Sequence, residues 1–262
     1  IHITNGLLTG SGGITRRGPG TLALHGDQHF SGGVLVQGGT LRLNAGGWQV
    51  NPFGHSNNVT ILTSAVLRTL GPHALGTDQN HLIIKGGTLQ LAAENYLTGF
   101  EMFGGAITGG EIRCDGGIAR FHAAGSAATL YSPTRLIGPT TFDVADGPAA
   151  ADLTLRGSLL YDQTLTKEGD GTLLVALNAT HAGTVINDGR VQVGEGGTAG
   201  SLGSGPVSVN AELVYQLAST VTLHQVIGGA GLIAQAGAGA LIFAASNDFA
   251  GTLLVSTGSV NV

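Results

Sequence analysis

The sequence predicts an all-β fold, a Gly-rich parallel β-solenoid that occupies residues 1–262 as a single domain. Three observations predict this fold. Gly accounts for 46 of the 262 residues, short apolar strands recur between those glycines, and one module occurs three times in the same direction. Only 10% of the residues are charged, whereas ordinary domains contain about 25% charged residues and about 7% Gly. The composition therefore indicates many tight turns between strands that bury apolar side chains.

Composition and charge exclude several other classes of protein. Disorder requires low hydrophobicity, but 42% of these residues are hydrophobic, and collagen requires abundant Pro, of which there are 7. The net charge is −5 and Lys occurs only at Lys85 and Lys167, so we expect no nucleic-acid partner. No apolar run reaches 18 residues, and we therefore expect no transmembrane segment in this chain.

The spacings of the repeated module agree in its three clear copies, residues 12–43, 163–193 and 231–262, except that the second copy lacks one residue before Gly189. Each copy contains a Gly-x-Gly, an apolar-x-apolar strand, a ring side chain two residues before a further Gly, and a closing apolar-x-apolar strand. The Gly-x-Gly pairs are Gly18/Gly20, Gly169/Gly171 and Gly237/Gly239. The rings are Phe30, His181 and Phe249, and the closing strands hold Leu41/Leu43, Val191/Val193 and Val260/Val262. Degenerate copies of the same pattern fill the residues between these modules.

The alternation of apolar residues within each unit predicts short strands with one buried face. A hairpin-connected β-sandwich is the alternative, but Asn-Gly and Asp-Gly turn dipeptides are sparse. Modules that follow one another in the same direction favour stacked coils instead. At roughly 20–25 residues per coil, about 11–13 coils fit. A strand spacing of about 4.8 Å then predicts a rod roughly 50–60 Å long.

The modules resemble the passenger-associated transport repeat of bacterial autotransporter passenger domains. Gly18-Pro-Gly20-Thr-Leu-Ala-Leu24 and Gly38-Gly-Thr-Leu-Arg-Leu43 match its pattern, and the second copy adds Leu165-Thr-Lys167 before its Gly-x-Gly. The third copy differs because Ala240 stands where the pattern has Thr. The resemblance implies a right-handed β-helix that is secreted or held at the bacterial cell surface. Such rods serve as adhesins, as spacers and as carriers of inserted enzyme domains.

No residue is predicted to be catalytic, and no cofactor or metal is predicted. The acidic stretch that contains Asp143, Asp146 and Asp152 lacks the signatures of β-helix polygalacturonases, and we expect solvated loop acids there. The nine His are scattered, and His181 is expected to pack inside because it occupies the ring position of its repeat. Gly-x-Ser-x-Gly is absent. We therefore expect a non-enzymatic protein.

Two sets of residues are candidates for binding. The segment from Asn95 to Phe103 departs from the repeat and is predicted to protrude as a loop. Its aromatic residues would form a ligand patch for a surface glycan or a host-cell partner; they are Tyr96, Phe100 and Phe103. Both ends of the chain are strand-like and would support head-to-tail self-association through unpaired edges; the residues are Ile1, Ile3, Val260 and Val262.

The sequence supports three functional hypotheses. The first is an extracellular structural rod that acts as a spacer, an adhesin or a self-assembling filament subunit. The second is a glycan-binding module, and the third is a β-helix polysaccharide lyase or hydrolase. Cys114 is the only cysteine, so no intrachain disulfide forms, and we expect it to be a small buried hydrophobic residue. The sequence starts at Ile1 without a basic and apolar leader, and we expect any signal peptide to have been removed or to lie outside it.

Overall fold

A computed structural model describes residues 2–3, 8–26, 28–44, 58–75, 81–97, 99–160 and 163–262. That part of the chain contains 31 β-strands and no helix. In chain order the strands are β1 (His2–Ile3), β2 (Thr9–Gly10), β3 (Ile14–Arg16), β4 (Thr21–Leu24), β5 (His29–Phe30), β6 (Val34–Val36), β7 (Gly39–Leu43), β8 (Asn58–Leu62), β9 (Ala65–Thr69), β10 (His81–Lys85), β11 (Thr88–Leu91), β12 (Asn95–Tyr96), β13 (Phe100–Met102), β14 (Gly105–Gly109), β15 (Ile112–Phe121), β16 (Ala128–Leu130), β17 (Thr134–Val144), β18 (Leu153–Leu155), β19 (Leu159–Leu160), β20 (Thr164–Glu168), β21 (Thr172–Val175), β22 (Gly183–Ile186), β23 (Arg190–Val193), β24 (Val207–Val209), β25 (Glu212–Tyr215), β26 (Val221–Leu223), β27 (Ile227–Gly228), β28 (Leu232–Gln235), β29 (Ala240–Phe243), β30 (Thr252–Val255) and β31 (Ser259–Asn261).

Two long parallel sheets form the walls of the solenoid. The first sheet has the strand order β1-β4-β7-β9-β11-β14-β16-β18-β21-β23-β25-β28-β30. The second follows the path β27-β24-β22-β20-β17-β15-β13-β10-β8-β6-β3, with β12 beside β15 and β19 beside β17. Because the chain passes from sheet to sheet and neighbouring strands are parallel, it winds into a β-solenoid of about 12 turns. The predicted fold class and coil number are confirmed, and a hairpin-connected sandwich, which needs antiparallel neighbours, is excluded.

Each turn adds one apolar side chain to the same interior row. In the first sheet Leu173, Val191, Leu213, Ile233 and Leu253 are paired in register, in steps of 18, 22, 20 and 20 residues. The first four side chains are fully buried. Leu253 is 38% exposed because it lies on β30, the last strand of that sheet. The interior is therefore a stack of aliphatic rows, and each turn depends on its neighbours for burial.

Three aromatic rings pack against one another in the interior. Phe100 on β13, Phe121 on β15 and Phe142 on β17 lie on successive turns and are each at most 1% exposed. The ring centroids are 5.7 Å apart for the first pair and 5.4 Å for the second, and both pairs meet edge to face. This geometry is favourable for aromatic quadrupoles.

Two sequence predictions about buried residues are confirmed. Cys114 is 2% exposed, and burial raises the pKa of its thiol to about 12, so the thiol is protonated at neutral pH. His181 is fully buried in the ring position of its repeat, with its Nε2 2.7 Å from the Thr184 hydroxyl. Burial lowers the pKa of His181 to about 4, and the imidazole is therefore neutral at pH 7.

The third module lies on different walls from the first two. In the first two copies the four module strands alternate between the second and first sheets: β3, β4, β6 and β7, then β20, β21, β22 and β23. In the third copy β28 and β30 belong to the first sheet, whereas β29 and β31 join β26 in a separate three-stranded sheet. Each module thus forms two turns in every copy. The first two copies begin on the second sheet, whereas the third begins on the first sheet.

Candidate functional site

The segment predicted to protrude as a loop is part of the second sheet, and that prediction is wrong. Its strands β12 and β13 both pair with β15, the first at Asn95–Ile112 and the second at Phe100–Ala119. Asn95 is fully buried. Its side-chain oxygen accepts from the Leu75 amide at 3.1 Å and its side-chain nitrogen donates to the Ala93 carbonyl at 3.1 Å. Backbone pairing is therefore kept in both strands of this segment although the module pattern is lost.

The three rings of the predicted ligand patch do not share one surface. Phe100 is 1% exposed and packs edge to face on Phe121, so its ring is not available to a ligand. Tyr96 is half-buried, and its hydroxyl accepts from Arg113 Nη1 at 3.2 Å. Phe103 is half-buried and stacks on another side chain. The inclusion of Phe100 in the patch is wrong because β13 alternates, which turns Phe100 and Met102 inward and leaves Glu101 and Phe103 outward.

Tyr96 belongs to a network of charged side chains. The Arg113 guanidinium carbon lies 5.6 Å from the Tyr96 ring centroid, and Arg113 Nε donates to Glu111 at 2.7 Å. The hydrogen bond to Glu111 is the largest cause that raises the pKa of Arg113. Arg135 Nε lies 3.0 Å from the same Glu111 oxygen. These contacts occupy one face of Tyr96 and hold its ring in a fixed orientation.

Phe103 belongs to a second cluster, which crosses three turns. The Phe103 ring stacks on His122 with a centroid distance of 4.0 Å. Lys85, from the turn that contains β10, places its Nζ 5.2 Å from the same Phe103 ring centroid. His122 Nε2 is 2.7 Å from one Glu101 oxygen, and His81 Nε2 is 2.9 Å from the other. Burial opposes ionisation of Glu101, but its hydrogen bonds with His122 and His81 outweigh burial and lower the pKa of its carboxyl.

Metal binding finds no support in this cluster. The two imidazoles lie on opposite oxygens of Glu101 and do not converge on one point. Across the part of the chain that the structure describes, no group of three or more His, Cys, Asp or Glu side chains is placed to hold a metal ion. No described helix is long and apolar enough to span a bilayer.

The acidic stretch contains one structural carboxylate among its solvated ones. Asp152 is 7% exposed; its two oxygens accept from the amides of Gly147 and Thr172, each at 2.9 Å. The expectation that Asp152 is a solvated loop acid is therefore wrong. Asp143 is half-exposed and lies 3.8 Å from Arg120 on the neighbouring strand. Asp152 thus joins two backbone segments, and Asp143 lies beside an arginine of the adjacent strand.

The predicted self-association residues lie at the two ends of the described fold. Ile1 lies outside the described residues, and Ile3 is on β1, whose backbone pairs with β4. Val260 on β31 pairs with Leu241 and packs against the core, whereas Val262 is 96% exposed. A depression of about 300 Å³ beside Val262 is lined by Phe243, Phe249 and Leu253. Self-association through these residues stays a prediction.

One polar position of the repeat was not identified as a site from the sequence. Arg16, Lys167 and Gln235 occupy the same position of the three modules, and each is at most 8% exposed. Lys167 Nζ donates to the carbonyls of Glu168, Gly169 and Asp188 at 2.8, 2.5 and 3.2 Å. The sequence did contain a signal: this position is polar in every copy, whereas the position two residues before it is apolar in every copy, as Ile14, Leu165 and Ile233.

Comparison with known proteins identifies the repeat. The passenger-associated-transport-repeat family matches residues 14–43, 165–193 and 233–262. A protein of Brucella suis biovar 1 (strain 1330), "Adhesin BmaC autotransporter", is 32% identical over 125 residues. That alignment covers 44% of this chain and 4% of the relative, so the chain spans a small fraction of the relative's length. No solved structure matches the chain.

Proposed function

Because this chain is an autotransporter-type passenger β-solenoid with three passenger-associated transport repeats, we propose that it is a non-enzymatic, adhesive segment of a bacterial surface protein. It is secreted and acts outside the cell. It presents side chains on a stiff rod, and those side chains contact a partner surface. The observation that carries the proposal is the placement of all three repeats in one continuous stack of turns, with no inserted fold among the described residues.

The rod geometry supports a binding role. Parallel strands place equivalent outward positions about 4.8 Å apart, and side chains therefore form straight ladders along the rod. One such ladder holds Glu168, Asn187 and Asn210, with hydrogen bonds of 2.7 and 3.0 Å between successive members. A repetitive partner, such as a polysaccharide or an array of surface molecules, matches a repetitive ladder in a way that a single small ligand does not.

The named relative supports adhesion over a spacer role. That protein is called an adhesin. The matched region is only a small part of it, and adhesion by this segment is therefore our proposal. A non-enzymatic role is supported by the chemistry of the acidic stretch, because the Asp152 carboxylate is already bound by two backbone amides.

Adhesion is tested with beads that carry the folded chain on their surface. Attachment of the beads to cultured epithelial cells is counted as the soluble chain is added in increasing amounts. We expect saturable attachment that the soluble chain abolishes, and no attachment by beads that carry the heat-unfolded chain. Beads that attach no better than albumin-coated beads would overturn the adhesive role.

The non-enzymatic part of the proposal has a separate test. The chain is incubated with polygalacturonate and with xylan, and reducing ends and unsaturated products are measured over many hours. We expect neither to increase. Product formation that disappears in Asp143→Asn would contradict the proposal and favour a polysaccharide lyase or hydrolase.

A further inference from the structure

We infer that Arg42, Arg68 and Gln90 form a binding site for the carboxylate or sulfate groups of an acidic glycan. The inference rests on the proposed adhesive function and names the class of partner that this surface takes. The three residues lie on β7, β9 and β11, and they are paired in register as Arg42–Arg68 and Arg68–Gln90. They therefore form one ladder across three successive turns.

The ladder faces outward. Arg42 lies between Leu41 and Leu43, which are fully buried. Arg68 lies between Leu67 and Thr69, which are also fully buried, and Arg68 itself is exposed. Because side chains alternate along a strand, both guanidinium groups project from the outer face of the first sheet.

Within the described residues, no acidic side chain forms an ion pair with either of these two arginines. The sequence contains no Asp or Glu between Asp27 and Asp78. Ion pairs within the described residues engage five other arginines, namely Arg113, Arg120, Arg135, Arg156 and Arg190. Arg42 and Arg68 have no such pair among those residues. Like charges directly opposite on neighbouring strands destabilise a sheet, so this arrangement favours an anion that lies between them.

One hydrogen-bond donor of the ladder also lacks a partner. Arg42 Nε is buried and lacks a hydrogen-bond partner in the described structure. A buried donor without a partner costs free energy, and an oxyanion that accepts from it removes that cost. Guanidinium groups bind carboxylate and sulfate through two parallel N–H donors, which gives the site a preference for planar or tetrahedral oxyanions over neutral sugars.

The surface beside Arg68 has room for one sugar ring. A depression of about 220 Å³ is lined by Arg68, Gln90 and Thr108, with Leu91 and Gly109 among its other residues. Enclosed pockets for drug-sized ligands are larger, about 300–1,000 Å³. The shape therefore suits one residue of a chain that continues along the rod.

The charge distribution favours the same end of the rod. Residues 1–90 contain five Lys and Arg and two Asp and Glu, a net charge of +3, whereas residues 91–262 contain six and fourteen, a net charge of −8. An acidic polymer is repelled by most of the rod and attracted to the turns that carry Arg42 and Arg68. The charge asymmetry therefore directs an acidic polymer to this end of the rod, and the arginine pair binds the anionic groups of that polymer.

The test measures binding of the full chain to heparin, which carries sulfates, and to polygalacturonate, which carries carboxylates. Neutral dextran is the reference polymer. We expect binding to one or both acidic polymers at 50 mM NaCl that falls at least tenfold at 300 mM NaCl, because exposed charges are screened. The Arg42→Gln/Arg68→Gln double variant should lose at least tenfold in affinity, with a melting temperature no lower than that of the native chain.

Two further variants separate the site from general charge effects. Arg190→Gln removes one positive charge from an arginine that is paired with Glu212 at 2.8 Å, and it should leave affinity within twofold. Arg42→Lys/Arg68→Lys keeps both charges but loses the bidentate donors, and it should bind more weakly than the native chain. Equal losses of affinity in the Arg42→Gln/Arg68→Gln double variant and in Arg190→Gln would overturn the site.

The outcomes distinguish this site from the adhesive function. If the native chain binds neither acidic polymer but its beads attach to cells, the site is wrong and adhesion stands. If the polymers bind at the arginine pair but no cell attachment occurs, adhesion is wrong and the site stands. Preferential binding to phosphatidylserine vesicles over both polymers would overturn the glycan assignment.

Discussion

Lys167 and Gln235 occupy the same position in successive modules, and each places its side-chain nitrogen on backbone carbonyls of the following Gly-x-Gly turn. Lys167 Nζ donates to Gly169 at 2.5 Å, and Gln235 Nε2 donates to Gly237 at 3.0 Å and Gly239 at 2.8 Å. Arg16 donates to the Gly20 carbonyl in the first module. The turn directs carbonyl oxygens inward, and a buried donor in each copy satisfies them.

This shared role predicts which substitutions Lys167 tolerates. Lys167→Gln places the donor of the third module in the second module. Its unfolding midpoint in urea should be nearly the same as that of the native chain. Lys167→Leu leaves the carbonyls of Glu168, Gly169 and Asp188 without the side-chain donor, and it should lose about 3 kcal/mol of unfolding free energy. A Leu variant as stable as the Gln variant would show that the donor is dispensable.

The buried ammonium also predicts a dependence on alkaline pH. Burial lowers the pKa of Lys167 to about 8, although Asp188 and Asp143 act in the opposite direction. Between pH 8 and 10.5 the unfolded chain keeps a proton that the folded chain has released, so stability from this group rises with pH by roughly 2–3 kcal/mol. The difference in unfolding free energy between the native chain and Lys167→Gln, measured from pH 7 to 10.5, should show this rise. A constant difference would mean that Lys167 has an ordinary pKa.

His181 predicts a second pH dependence, on the acid side. Its pKa in the folded chain is about 4, below the usual value of 6.5, because the ring is buried. As pH falls from 6.5 towards 4, His181 is protonated in the unfolded chain but stays neutral in the folded chain. The free energy of unfolding therefore falls by roughly 3 kcal/mol at most. His181→Phe, which uses the ring found at Phe30 and Phe249, should remove this part of the acid sensitivity. Urea unfolding at pH 7 and 4.5 measures the loss of unfolding free energy in the native chain and in His181→Phe. Identical losses in the two chains would contradict the role of His181.

The spacing of glycines was sufficient to predict the turns of the solenoid. The last Gly of each module lies against the Gly-x-Gly of the same module one turn earlier, where a Cβ would meet the carbonyl oxygens of both glycines. The sequence did not predict that the third module starts on the first sheet and not on the second, because the same apolar alternation suits a strand of either sheet.

The binding residues were less predictable than the fold. Phe100 and Phe103 are the same residue type in one short segment, yet Phe100 is buried and Phe103 is half-buried. A shift of one residue in register exchanges the two faces of a strand, and composition does not reveal that shift. Arg42 and Arg68 lie 26 positions apart in the sequence, and only the register of β7 and β9 makes them neighbours.

Gly189 predicts a strict requirement for glycine. Its φ is 62°, in the left-handed region, and a Cβ there would lie 2.5 Å from the Gly169 carbonyl oxygen and 2.6 Å from that of Gly171. Gly189→Ala should therefore lose about 2–3 kcal/mol of unfolding free energy from strain and from the crowded carbonyls. Gly125→Ala is the matched control, because no atom lies within 4 Å of its added Cβ, and it should stay near the native value. Equal stability of the two variants would be inconsistent with the stacked-glycine contact.

In the cluster that crosses three turns, we expect the ionisation of Glu101 to depend on its two imidazole partners. Burial raises the pKa of this carboxyl, whereas the hydrogen bonds from His122 and then His81 lower it, with a net decrease from 4.5. The carboxylate therefore contributes stability that is complete above pH 4.5 and is lost as pH falls through the lower folded value. Carbon-13 NMR of the Glu101 carboxyl should show titration below 4.5 in the native chain. His122→Asn should move the titration upward, His81→Asn should move it by less, and His224→Asn, an exposed control, should not move it. A Glu101 titration that is the same in all four chains would mean that the imidazoles do not hold the carboxylate in solution.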